Sequence, residues 1–329
     1  MDTLLEVKNL SVAFQTVLGE VKAVRDVSFT IKKGSVTAIV GESGCGKSVT
    51  AKSIMGLIKK PGKVSADSEI LFQGENIQNY SKKEWENYRG QKCSICFQDA
   101  LASLNPTMTV GKQIMEKIRV HKKVSKKEAW NEAVEMLAKV GIPNPEIRMR
   151  QYPHEFSGGM RQRVMLAIAM TLNPPLVIAD EPTTALDVTV QADILDMMKQ
   201  MQKEYHTSIL LITHDLGIVA NFATNIIVMY AGKIVETGSA EDIFYHPAHP
   251  YTKALLAAVP RLDCNDTKLT TIEGAPPNMT NPPTGCPFEA RCKYSEPICK
   301  EKFPEKAALT EEHTVCCHLC KKGGFHGRE

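Results

Sequence analysis

The sequence has no uninterrupted apolar run of about 18 residues, so no membrane-spanning helix is expected. Its longest apolar stretches, "VMLAIAM" and "SILLIT", have the length of core elements. The start "MDTLLEVKNLSV" has no basic stretch followed by an apolar core, so no secretory signal is expected. A chain kept in the cytosol holds its thiols reduced, which argues against disulfides. Charge of one sign is also lacking: 40 Lys and Arg face 37 Asp and Glu, for a net +3. The lysine doublets Lys59-Lys60, Lys122-Lys123 and Lys126-Lys127 are scattered, as on solvated faces, and form no stripe for nucleic acid. Repeats and low-complexity tracts are missing too. What remains, 43% hydrophobic and 23% charged residues over 329 positions, is an ordinary globular chain of one large domain with an appendix, or of two domains.

The first third opens with alternating apolar residues in "LLEVKNLSVAF" and "AVRDVSFTI" around the turn-rich "TVLGE", which predicts an antiparallel hairpin. "SVTAIV", "LVIAD", "SILLIT" and "IIVMY" read as short buried strands. Helical patterns separate them, which predicts crossover units and a parallel sheet in an α/β fold. Between about residues 100 and 172 the pattern turns helical. Trp130, Val134 and Leu137 there form an apolar stripe expected to pack into the core. The Pro/Gly-rich "EGAPPNMTNPPTGCPF" reads as a linker into a tail, and six of the ten cysteines lie from Cys286 onward.

"GESGCGKS", Gly41 to Ser48, fits the phosphate-binding pattern G-x-x-x-x-G-K-S between a strand and a helix. The glycines let backbone N–H groups surround an anion, and the helix adds its positive end. The expected nucleotide contacts are Gly41, Ser43, Gly44, Cys45, Gly46, Lys47, Ser48 and Val49. Lys47 would reach the terminal phosphates, and the Ser48 hydroxyl would hold Mg2+. Asp180, ending the apolar strand "LVIAD", is the second Mg2+ candidate, and Glu181 is placed to polarise the attacking water. Cys45, inside the loop, is expected to react with alkylating agents unless ATP covers it. Cys93 and Cys96 lie on opposite faces of one strand and are expected to act as small buried hydrophobes.

"FSGGMRQR", Phe156 to Arg163, resembles the signature of ATP-binding-cassette ATPases. Gln98 after a strand, "TTALD" ending at Asp187, and His214 after "LLIT" complete the family's marks in order over residues 1 to about 245. Met160 stands where many members have glutamine, while the serine and glycines remain. The resemblance implies a P-loop cassette: a RecA-like core with an antiparallel β subdomain, and a helical subdomain over about 100–172. It implies head-to-tail pairing of two ATPase chains, with Ser157 and Gly159 of one closing on the γ-phosphate held by Lys47 of the other. It gives Gln98 a role at Mg2+ and water, His214 a role at the γ-phosphate, and Asp187 a role in communication across the pair. Phe14 is either an adenine-stacking residue or a core residue of the first strand.

Three stretches, "FQDALASLNPTMTVGKQI", "YPHEFSGGM" and "HPAHPYTKALLAAVP", are similar to the ATPase subunits of oligopeptide and dipeptide importers, a group that includes nickel importers. Membership implies two transmembrane permease subunits, a second and different ATPase chain, an external solute-binding protein, and a peripheral place on the cytoplasmic side of the cell membrane. An export ATPase and a soluble cassette acting on ribosomes or DNA are the rival readings. The group often ends in cysteines that bind a four-iron four-sulfur cluster, and here Cys286, Cys292, Cys299 and Cys317 match, the last directly before His318-Leu319. That makes residues 246–329 a C-terminal extension. Four thiolates also suit zinc, and Cys316 and Cys320 are alternative ligands.

Overall fold

The computed structural model describes residues 2–184, 186–259 and 271–322 and divides into two compact units. One unit comprises Met1–Leu4, Ile31–Ser35 and Asn76–Leu211; the other comprises Leu5–Thr30, Val36–Glu75 and Ile212–Glu329. No helix among the described residues is long and apolar enough to cross a membrane.

In the second unit the expected hairpin forms. Thr3–Thr16 and Gly19–Lys32 are neighbours in one sheet; Leu5 and Val7, then Leu10 and Val12, are buried at a period of two, with the phase shifting near Asn9, whose φ is +50°. The tip residues Val17 and Leu18 are exposed. Glu69–Phe72 adds antiparallel, with Leu5 opposite Phe72 and Val7 opposite Ile70. A separate sheet has the fully buried Val36–Val40 parallel to Asn225–Tyr230, as a crossover connection requires. Lys233–Ser239 then runs antiparallel to Asn225–Tyr230.

The tail continues that sheet. Thr314–Val315 pairs with Lys233–Ser239, placing Val315 opposite Glu236, and Ala307–Ala308 pairs outside it. Glu236 fastens this edge. Its fully buried carboxylate accepts from His313 Nε2 at 2.8 Å and from the amides of Ala248 and His249 at 2.7 and 2.9 Å. Burial pushes the carboxyl upward, but these bonds outweigh it and leave Glu236 below the ordinary glutamate value. The stretch read as a linker is also bound. The Met279 carbonyl accepts from the Lys22 amide at 2.9 Å, and the Pro283 carbonyl from Arg25 at 3.0 Å.

In the first unit Cys93–Cys96 and Leu176–Asp180 pair in parallel, Cys96 opposite Ala179. The helical stretch becomes Ala100–Ser103, Val110–His121, Lys126–Lys139, Pro145–Arg148 and Gly158–Met170. Ser125 and Glu128 cap Lys126–Lys139 reciprocally. The core face of that helix differs from the expected stripe. Ala129, Ala133, Met136 and Leu137 are buried, while Trp130 and Val134 are only half-buried at its border. The small alanines let the helix approach closely, and Trp130 instead lies beneath the Arg150 guanidinium. Lys117 is half-buried under the end of Gly158–Met170. Its ammonium donates to the carbonyls of Ile168 and Ala169 at 2.6 and 2.9 Å and to Ser94 Oγ at 2.9 Å, capping otherwise orphaned carbonyls.

Candidate functional site

In the second unit, Gly41–Ser48 wraps between Val36–Val40 and the helix Lys47–Ile54. Gly41 has φ +151°, and a Cβ there would stand 2.1 Å from the Met229 carbonyl oxygen. Gly46 has φ +106°, and its Cβ would meet the Ala23 carbonyl at 2.6 Å. Only glycine fits either position. Lys47 folds back over the loop, donating to the carbonyls of Gly41 at 2.7 Å and Glu42 at 3.0 Å. Ser43 and Gly44 are exposed and Ser48 and Val49 half-exposed, so the outer rim of the loop is open to an anion.

Cys45 does not meet the expectation of a reactive thiol. It is 4% exposed, and burial pushes its pKa up despite the neighbouring Lys47. A buried, protonated thiol is a poor nucleophile. Phe14 is half-buried opposite Gly62, where a Cβ would come within 2.6 Å of its ring. The exposed His214 directly follows the buried strand Ser208–Thr213, just before Asp215 caps Leu216–Phe222 through the Gly217 amide at 2.8 Å.

In the first unit, Asp180 is 4% exposed at the end of its strand. Glu181 follows in the left-handed region at φ +49°, an uncommon conformation for glutamate that turns its carboxylate out of the strand line. Its Oε2 accepts from Gln98 Nε2 at 2.7 Å and from the Thr184 hydroxyl at 3.0 Å. The structure thus joins residues 83 positions apart, with one carboxylate oxygen fixed by two donors. Ser157 caps Gly158–Met170, accepting from the Met160 amide at 3.3 Å. Gly159 packs where a Cβ would touch Val190 Cγ1 at 2.6 Å, while Asp187 caps Val188–Tyr205 through the Val190 amide at 2.9 Å. The signature helix and Asp187 therefore meet at two helix starts.

Cys286, Cys292, Cys299 and Cys317 line one small cavity with His249, Phe288 and His318. Cys316 lines a different groove, its amide bonded to the Val235 carbonyl, and Cys320 hydrogen-bonds Cys317. Burial pushes the Cys286 thiol up to about 12, and the contact with Cys320, then burial, raises Cys317 further. Among the described residues, no three His, Cys, Asp or Glu side chains close in on one point as a single metal ion requires. Cys93 and Cys96 are fully buried, each pushed up to about 12 by burial, as expected of core thiols.

Sequence reasoning missed Tyr251 and Arg291. The Tyr251 hydroxyl accepts from the Glu42 amide at 2.9 Å, and Arg291 donates to the Glu42 carboxylate at 2.9 Å. The local signals were the place of Tyr251 within "HPAHPYTKALLAAVP" and of Arg291 beside Cys292.

Residues 24–184 match the ABC transporter family, and residues 235–299 match the oligopeptide/dipeptide transporter C-terminal region. The chain is 52% identical over 326 residues to the dipeptide transport ATP-binding protein DppD of Bacillus subtilis, covering 99% of this chain and 97% of that one. It is 54% identical over 313 residues to the oligopeptide transport ATP-binding protein OppD of the same organism, covering 95% and 87%. Among solved structures it is similar to the ATP-binding cassette MJ0796, a dimer in a post-hydrolysis state bound to ADP and Pi. That likeness has a TM-score of 0.65 at 25% identity, over 72% of this chain and 99% of the other. From the phosphate loop, the strand-end carboxylates and full-length relatedness together, the chain belongs to the ATP-binding subunits of the oligopeptide/dipeptide ABC transporter family.

Proposed function

We propose that this ATPase energises the import of dipeptides or oligopeptides as a peripheral subunit on the cytoplasmic side of the cell membrane. It would work with two permease subunits, a second ATPase chain and an external solute-binding protein. The observation that carries the peptide assignment is the match of residues 235–299 to the peptide-transporter C-terminal region, beyond the cassette itself. The relatives described above are named for peptides, so nickel is not carried forward as the solute.

In this reading Lys47 and the amides of Gly41–Ser48, with Val49, hold the ATP phosphates, and Phe14 stacks on adenine. Ser48, Asp180 and Gln98 hold Mg2+. Glu181, positioned by Gln98 and Thr184, orients the attacking water, and His214 contacts the γ-phosphate. Ser157 and Gly159 serve the nucleotide of a partner cassette, with Asp187 beside them. ATP bridging two cassettes favours a closed pair, and loss of the bridging phosphate reopens it.

The tail reading is a four-iron four-sulfur cluster on Cys286, Cys292, Cys299 and Cys317. The support is that these four thiols line one small cavity, and that the separations of six and seven residues between Cys286, Cys292 and Cys299 are wider than those of common zinc pairs. When bound, such a cluster would supply four metal–thiolate bonds to a segment with little apolar core. The test of the whole reading is Mg-ATP hydrolysis by the assembled transporter, with its binding protein presented empty, with short peptides, or with nickel. Stimulation by peptides alone is expected; stimulation by nickel alone would overturn the solute.

A further inference from the structure

Glu42 is the second residue of the phosphate loop, and each of its polar handles is engaged. Its carbonyl accepts from Lys47, its amide donates to the Tyr251 hydroxyl, and its carboxylate accepts from Arg291 Nη1. Two of those three partners follow the cassette in sequence. Arg291 is itself immobilised. Its side chain is 6% exposed, and it donates to the Tyr230 hydroxyl at 3.0 Å, the Ile272 carbonyl at 3.0 Å and the Glu273 carbonyl at 2.9 Å.

The turn that carries Arg291 is bounded by cysteines. Cys286 precedes the short helix Glu289–Arg291 and Cys292 closes it, the Cys292 amide donating to the Glu289 carbonyl. Phe288 of the same turn packs edge-on to Tyr230 at 5.3 Å and against Tyr251 at 5.3 Å, while the two tyrosines lie 4.6 Å apart. One seven-residue turn therefore holds the phosphate loop twice. Arg291 grips its carboxylate, and Phe288 buttresses the tyrosine that takes its amide.

We infer that the turn Cys286–Cys292 is a positioning element for the phosphate loop, with Arg291 setting nucleotide affinity through Glu42. A carboxylate pulled aside by a buried guanidinium is kept from swinging toward incoming phosphates, and the loop amides stay pre-arranged for the anion. The way the cysteine tail is folded thereby becomes legible to the nucleotide site. The inference rests on Gly41–Ser48 being the ATP phosphate loop.

The test is Mg-ATP binding to the full chain, measured by calorimetry beside thermal unfolding. R291Q and E42Q are each expected to raise the Kd roughly tenfold, the effect of one charge-assisted hydrogen bond. The double variant should be no weaker than the weaker single one, because both lose the same contact. R291K should recover only part of the affinity, lacking the planar fork. Unchanged Kd values with a lowered unfolding midpoint would overturn the proposal and leave Arg291 a staple. K47A separates the two readings: it should abolish binding, and normal binding by K47A would remove the phosphate-loop reading itself.

Discussion

The loop Gly41–Ser48 and the turn Gly285–Cys292 both order a short irregular segment, but by opposite means. The phosphate loop is shaped by backbone: glycines at positive φ lie against the carbonyls of Met229 and Ala23, and a lysine folds over them. The cysteine turn is shaped by side chains: thiols around a cavity, an aromatic cluster, and an arginine that donates from all three of its nitrogens. A loop that must offer its amides to a ligand cannot spend them on itself, so glycine geometry does the shaping. A tail with few apolar residues has only a small core, Val315 against Ala248 and Cys317, and is tied down further by polar and thiol groups.

The largest expected effect breaks the loop alone. Gly41→Ala places a Cβ 2.1 Å from a carbonyl and should lower ATP hydrolysis on the order of a hundredfold or more, read by phosphate release. The matching change in the tail, Gly285→Ala, would put a Cβ 2.1 Å from the Cys299 carbonyl and, on the proposed cluster reading, should lower iron per chain before it lowers hydrolysis. Next in size is Glu236→Ala, which strands His313 and two buried amides. It should destabilise the unit by about 3–5 kcal/mol in urea unfolding. Because the Glu236 carboxyl lies below its unfolded value, its contribution is complete above about pH 4.5. That contribution is lost as the pH falls through the lower, folded value, so the urea midpoint should drop there in wild type and not in the variant.

A smaller effect separates the thiols themselves. Cys93→Ala should cost about 1 kcal/mol of stability. On the proposed cluster reading it should leave iron content unchanged, whereas Cys286→Ala should abolish it. The smallest concerns Cys45. Iodoacetamide should modify it in the native chain no faster with ATP absent than with ATP bound, by mass spectrometry, because the thiol is closed before nucleotide arrives.

Much of this was legible in the sequence for a local reason. The phosphate loop, the strand ending at Asp180 and the signature serine are each contiguous, and their chemistry needs neighbours in the chain. The hairpin was legible because alternation is a period of two along one strand. The stripe through Trp130 and Val134 was misplaced because alanines at 129 and 133 carry the close contact, and small residues give no hydrophobic signal of their own. Cys45 was misjudged because exposure is not written in a motif.

The sequence by itself determined the nucleotide chemistry, the family and the four matched cysteines, since residue type and spacing carry those. Only tertiary structure decided that Gln98 bonds Glu181, that Cys317 shares a cavity with the other three cysteines while Cys316 faces elsewhere, and that Arg291 reaches Glu42 across 249 positions. Such contacts depend on where distant segments are brought by burial of their apolar faces. No local pattern encodes the partner of a buried arginine.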